Sequence, residues 1–216
     1  MLNSKLSLNN PSVMARQLIA KLNDRFNSQF ISEFDPTLNQ AKESLFLIEG
    51  IDADFPLISR EELVEAIPHR GDMLLLDHIA WVDELGSRAL AVKRLKHDEF
   101  WVDGHFPDQP MMPGVLMIEA GAQLAFYLCK QSLPETKIGT LLRIEEARFR
   151  CSVAPGNTLL ILCSLVKRNR NIFCYDVQGK VGKRIAFDAR IVGLLRPGKS
   201  HRTGNYSNES CSTAEL

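Results

Sequence analysis

The chain is poor in the features that mark several common protein classes. Its 216 residues carry no net formal charge, 26 basic side chains standing against 26 acidic ones. A balanced chain has no bulk field to gather nucleic acid or an anionic membrane surface, so neither partner is expected. The cysteines are five, an odd number (Cys129, Cys151, Cys163, Cys174 and Cys211), and none lies in a Cys-x-x-Cys pair. That pattern argues against a disulfide framework and a zinc site. It fits reduced core thiols in a reducing compartment, and a cytoplasmic location is expected. The first 30 residues hold no continuous apolar stretch of the kind a secretory signal needs. Gly179–Lys183 is rich in glycine and lysine but lacks the Gly-x-x-x-x-Gly-Lys-Ser/Thr spacing of a phosphate loop. No internal repeat is present.

What is there begins with an acid-poor segment. Met14, Leu18, Leu22 and Phe26 recur every four residues after Pro11, which predicts a short amphipathic helix. A surface helix is the favoured reading, and an organelle transit peptide, which the same composition suits, is the alternative. Ser32–Asp54 is polar and acidic and reads as a connector. Residues 1–54 are therefore expected to be an extension, 55–196 the main domain, and 197–216 a polar disordered tail.

Ser59-Arg60-Glu61-Glu62 has the capping-box spacing, so a short helix is predicted to about Ala66, ending before Pro68. Met73–Val82 is apolar enough for a mostly buried strand, and Asp83–Ser87 supplies a turn. Arg88–Leu95 is the returning strand, with Ala89, Ala91 and Lys93 on one face and Leu90 and Val92 on the other. Four longer strands are predicted at Ile138–Arg150, Thr158–Arg168, Ile172–Gly179 and Arg184–Leu195. Their short links imply antiparallel neighbours.

Between these two sets of strands lies Gly104–Gln123, around which the rest is organised. Met111–Cys129 is the one long apolar run, and Pro113, Gly114, Glu119 and Gln123 interrupt it. A buried core helix opening at Pro113 fits better than a membrane span. A helix apolar on nearly every face must be wrapped by protein. The result is an α+β domain of roughly 140 residues, a curved antiparallel sheet wound round one long central helix.

The same stretch collects acid–base chemistry. His105 can gain and lose a proton near neutrality. Glu119 is a carboxyl on an apolar helix, where burial is expected to raise its pKa. The Gly114 N–H belongs to a helix start, which offers free donors and the positive end of a dipole. A base, an acid and an oxygen-binding donor together suit proton transfer beside a carbonyl whose oxygen gains charge. Gln123, one turn beyond Glu119 on the same face, is a candidate to orient its carboxylate.

Gly104-His105-Phe106-Pro107, Pro113-Gly114-Val115-Leu116 and Glu119-Ala120 with Ala122-Gln123 resemble the motif of the 3-hydroxyacyl-[acyl-carrier-protein] dehydratases, FabZ type. Ile67-Pro68-His69-Arg70 with Leu74–Asp77, and Phe149-Arg150 with Pro155-Gly156, resemble further signatures of that family. The resemblance spans about residues 58–196. It implies a hotdog fold and dehydration of (3R)-3-hydroxyacyl thioesters to trans-2-enoyl thioesters in fatty acid biosynthesis, without metal or redox cofactor. It assigns His105 and Glu119 as the catalytic pair and the Gly114 N–H as donor to the thioester oxygen. It implies that the histidine and the acid meet from two subunits, so a homodimer or a higher homo-oligomer such as a hexamer is expected.

Phe106, Met111, Met112, Val115 and Leu116 are candidates to line an acyl tunnel, together with Gln123 as a substrate-side residue. Gly121 stands where the family often has a larger residue, and close approach of a partner helix or a wider tunnel would account for it. An acidic carrier protein calls for a basic surface; Arg143, Arg148, Arg150, Lys167, Arg168 and Arg170 are candidates, with a solvated strand face as the alternative. His69 and Arg70 read as supports for the entry of the first strand, and His78, His97 and His201 as surface or structural residues. A hotdog acyl thioesterase and a non-catalytic acyl-carrier-binding subunit are the competing readings.

Overall fold

The computed structural model describes residues 43–131, 137–169 and 171–197. The expected amphipathic helix near Met14–Phe26 and the tail after Pro197 lie outside the described residues. The chain divides into two compact units, Met1–Ser44 and Leu45–Leu216, and the second carries every element named below.

Helix α1, Arg60–Ala66, starts as its capping box dictates. The Ser59 hydroxyl accepts the Glu62 N–H at 3.2 Å, and the Glu62 carboxylate accepts the Ser59 N–H at 2.7 Å. Ile67 is extended, as a residue before proline must be, and ends the helix.

The strand expected at Met73–Val82 begins late. Gly71–Met73 form a 3₁₀ turn, and strand β1 is only His78–Val82. The reason lies in who satisfies the backbone between them. The Arg60 guanidinium donates to the carbonyls of Leu74 and Leu76, while the Gln123 amide donates to the Met73 carbonyl and accepts the Leu75 N–H. Side chains have replaced a neighbouring strand there, so the buried Leu74–Leu76 run needs no ladder.

Strand β2, Arg88–Arg94, returns after a turn tied by the Asp83 carboxylate, which accepts the N–H groups of Ser87 and Arg88. Ala89 and Ala91 face the main core, and Leu90 and Val92 join a second apolar cluster with Phe46, Ala80 and Leu162. The segment read as a polar connector supplies that cluster's cover: Leu45, Ile48, Ile51 and Ala53 pack against it. The Leu45 N–H donates to the buried Gln178 side chain, and His78 Nε2 bonds the Ala53 carbonyl.

Helix α2, Gly114–Lys130, is the central helix. Pro113 is its N-cap rather than its first helical residue, and its carbonyl accepts the N–H groups of Leu116 and Met117. Met117, Leu124, Ala125, Leu128 and other side chains are buried all round. Gly121 has a local cause. A Cβ there would stand 3.0 Å from Val177 Cβ and 3.1 and 3.2 Å from its methyls, so the glycine lets the helix settle on its own sheet. The partner-helix and wider-tunnel explanations are not needed.

Four strands follow: β3, Lys137–Phe149; β4, Thr158–Arg168; β5, Ile172–Val181; and β6, Arg184–Pro197. The six strands form one sheet in the order β1-β2-β4-β5-β6-β3, with every pairing antiparallel. The expectation that β3 neighbours β4 fails. Residues 150–157 carry the chain away from β3, with the Arg150 N–H on the Ala186 carbonyl and the Val153 carbonyl accepting the Met112 N–H. That crossing sets β4 beside β2 and leaves β3 on the edge beyond β6. No helix among the described residues is long and apolar enough to cross a membrane.

Candidate active site

Glu119 is the one acid of α2. Gln123, one helical turn on, donates to its Oε1 at 3.0 Å, and His69 Nε2 stands 3.2 Å from the same oxygen. The Gln123 amide is fully buried and is held from behind by the Leu75 N–H and the Met73 carbonyl. It therefore positions the carboxylate as expected, and it reaches no open space where substrate could touch it. Burial alone would push the Glu119 carboxyl up. The hydrogen bonds from His69 and Gln123, and the His69 charge, outweigh that and hold it below its ordinary value of 4.5. The expectation of a raised pKa is overturned because the helix face is apolar but the neighbours facing the acid are donors.

His69 was missed as a neighbour of the acid. It precedes α2 by a whole hairpin, and only the fold brings Pro68–Arg70 over Glu119. The signal available in the sequence was its place in the Ile67-Pro68-His69-Arg70 signature.

His105 lies on the turn before α2. Its N–H donates to the Trp101 carbonyl at 2.9 Å, and its own carbonyl accepts the Met111 N–H at 2.8 Å. Its Nδ1 is 2.8 Å from the Met111 carbonyl. A carbonyl only accepts, so Nδ1 carries the proton, and in the neutral ring Nε2 has the free lone pair. The ring stacks on Phe106, with centroids 4.2 Å apart. Among the described residues no hydrogen bond or ion pair joins His105 to Glu119 of the same chain.

Gly114 is the first residue of α2, where the N–H groups have no carbonyl within the helix to reach. Of the expected lining residues, Val115 is 70 % exposed and Phe106 51 % exposed, while Met112 is buried in the core. Met111 and Leu116 are half-buried. A separate small pocket, about 70 Å³, lies beside the acid and is lined by His69, Glu119, Ala122, Phe126, Leu141 and Phe173 among others. Gly139, on its wall, leaves room for the Phe126 ring; a Cβ there would overlap it.

The basic docking candidates are mostly spoken for. Arg143 pairs with Glu145, Arg148 with Glu146, and Arg150 with the buried Asp188 at 2.7 Å. Lys167 and Arg168 are exposed at the end of β4, and Arg170 lies outside the described residues. No group of three or more His, Cys, Asp or Glu among the described residues is arranged to hold a metal.

The FabA-like domain model matches residues 67–190. The chain is 38 % identical over 142 residues to the 3-hydroxyacyl-[acyl-carrier-protein] dehydratase FabZ of Magnetococcus marinus, covering 64 % of this chain and 92 % of that protein. It is 37 % identical over 142 residues to the enzyme of the same name from Rickettsia akari, covering 65 % and 97 %. Among solved structures, it resembles a chain of the dehydratase heterocomplex ApeI:P from Xenorhabdus doucetiae, with a TM-score of 0.54 and 16 % identity over 62 % of this chain and 90 % of that one. A Pseudomonas aeruginosa thioesterase, PA1618, gives a TM-score of 0.51 at 13 % identity, over 63 % and 93 %, which shows a shared fold alone. With the wrapped helix, the sheet order and the matched span all in agreement, the chain belongs to the FabA-like domain family and has its hotdog fold.

Proposed function

We propose that the protein dehydrates (3R)-3-hydroxyacyl-[acyl-carrier-protein] to the trans-2-enoyl thioester in fatty acid biosynthesis, as a cytoplasmic homo-oligomer built from dimers. The observation that carries this reading is Glu119, the lone acid of the central helix, clamped by His69 and Gln123 beside a small pocket. The two FabZ relatives, covered over nine-tenths of their length, support the same reaction.

His105 Nε2 removes the C2 proton, electron density passes to the thioester oxygen, and the Gly114 N–H holds that oxygen as charge builds. The C3–O bond then breaks, the C2–C3 double bond closes, and the Glu119 carboxyl gives its proton to the leaving hydroxyl, which departs as water. The site works with one proton shared by the pair. It rests on Glu119 for dehydration and on His105 for hydration of the enoyl thioester. The donors around Glu119 favour the ionised acid, the form that takes a proton from water in the hydration direction.

In this reading the acid that serves His105 comes from a second copy, in keeping with the lack of a hydrogen bond or ion pair between His105 and Glu119 of one chain. The β3 edge supports such pairing: it exposes Leu141, Leu142, Ile144 and Phe149 beside unpaired backbone.

The test is incubation of the purified protein with 3-hydroxybutyryl-[acyl-carrier-protein] and with crotonyl-[acyl-carrier-protein], following enoyl thioester in both directions. Interconversion is expected, and His105→Ala and Glu119→Ala each lose it by at least about 100-fold. Release of free thiol instead would identify a thioesterase, and tight binding without turnover a carrier-binding subunit.

A further inference from the structure

The end of strand β3 and the start of helix α2 meet at one point. A Cβ built on Gly114 would stand 2.7 Å from Phe149 Cε1 and 2.9 Å from both Cδ1 and Cζ. The Phe149 ring therefore occupies the place of the side chain that residue 114 lacks. In a helix each Cα–Cβ bond tilts toward the N-terminus. A ring in that position lies toward the N-terminal end of α2, beside the space into which the first N–H groups point.

The backbone on each side of this contact is fixed. Phe149 pairs with Phe187 in the β3–β6 ladder. The next residue, Arg150, donates its N–H to the Ala186 carbonyl at 2.7 Å and pairs with the buried Asp188 carboxylate. On the helix side, the Pro113 carbonyl accepts two N–H groups and fixes the first turn. The turn is otherwise open to water, for Val115 is 70 % exposed and Phe149 itself keeps 43 % of its surface.

We infer that Phe149 is a positioning residue of the active site, one that acts through the Gly114 N–H. The inference rests on the reading that this N–H holds the thioester oxygen. Two physical effects follow from the contact. The ring denies water one flank of the donor, and a hydrogen bond to a developing oxyanion is stronger where water is excluded. A side chain at position 114 would have to push the ring aside, so glycine is what lets the ring sit against the first peptide of the helix. A donor displaced by a fraction of an ångström would hold the substrate but lose the transition state, so the effect belongs in kcat more than in KM.

A double-mutant cycle reads this coupling. In helix propensity alone Gly114→Ala is favourable, so a loss of activity runs against that trend. Gly114→Ala is expected to drive its methyl into the ring and lower kcat about 10-fold, with KM changed less than about 2-fold. Phe149→Ala is expected to lower kcat by a similar factor, about 10-fold. In the pair of substitutions together the methyl enters the space the ring left, and kcat is expected to fall no further than in either alone.

Losses that multiply to about 100-fold, or a Gly114→Ala enzyme with the wild-type kcat, would overturn the inference. Phe149→Leu, a milder change at a half-exposed edge position, is the second variant. It should lower kcat about 5-fold at unchanged KM, and a wild-type kcat there overturns the inference equally. His105→Ala is the control for the reading beneath it. If that variant keeps full activity, the site assignment itself fails, whatever Phe149 does.

Discussion

His69 and Glu119 are fifty residues apart in the chain and 3.2 Å apart in space, Nε2 to Oε1. The imidazole donates to the carboxylate from one side and the Gln123 amide from the other. The remaining ring nitrogen, Nδ1 of His69, is buried without a partner among the described residues. The ring is thus turned toward the acid, with its second nitrogen left without a hydrogen bond.

Removing that donor changes the proton balance of the acid. His69→Ala takes away a hydrogen bond and a charge that lower the Glu119 pKa, while the opposing burial stays. The Glu119 pKa therefore rises. A pH profile of kcat/KM should show its carboxyl limb moved to higher pH relative to wild type. An unmoved limb would show that His69 has no hold on the acid.

The same pKa shift predicts how stability depends on pH. A carboxyl whose folded value is depressed stabilises the fold fully above its ordinary value, here 4.5. That contribution disappears as pH falls through the lower folded value. Glu119→Gln should therefore be less stable than wild type at pH 7 by roughly 1 kcal/mol, and the gap should narrow progressively as pH falls below 4.5. Urea midpoints at the two pH values make the comparison.

Gln123 serves three partners from a fully buried position. Gln123→Leu keeps the volume and strands the Leu75 N–H and the Met73 carbonyl. Each stranded group costs about 1–3 kcal/mol, so a total loss of roughly 2–6 kcal/mol is expected in urea unfolding. Activity should fall further than stability explains, because the Glu119 carboxylate loses its second donor.

Lys93 and Glu99 form an ion pair 2.5 Å long, with only 7 % and 10 % of their side chains exposed. Lys93→Met leaves a buried carboxylate unpaired and should cost about 3–5 kcal/mol. Lys93→Met with Glu99→Leu removes both charges and should recover most of that loss in thermal or urea unfolding. If the single and double variants are equally unstable, the pair is not the source of the effect.

Much of this protein was legible in the order of its residues, where local rules decide. Ser59 and Glu62 set the start of α1 and Pro68 its end, because capping and the pre-proline restriction act within a few residues. The apolar run of α2 required a wrapping sheet, and the strand boundaries of β4 and β6 followed from turn chemistry. The Gly104–Gln123 stretch puts His105, Gly114 and Glu119 forward as candidates by residue type and order alone.

Tertiary structure decided what depends on contacts across long separations. Whether β3 pairs with β4 or β6 is open to any chain with an eight-residue link, and the crossing at Arg150–Val153 settled it. Leu74–Leu76 looks like a strand by composition, yet Arg60 and Gln123 took over its backbone partners. The direction of the Glu119 pKa shift turned on the donors that face it, which no helical periodicity records. Phe149 over Gly114 is of the same kind, a packing fact between a strand end and a helix start that only the closed sheet creates.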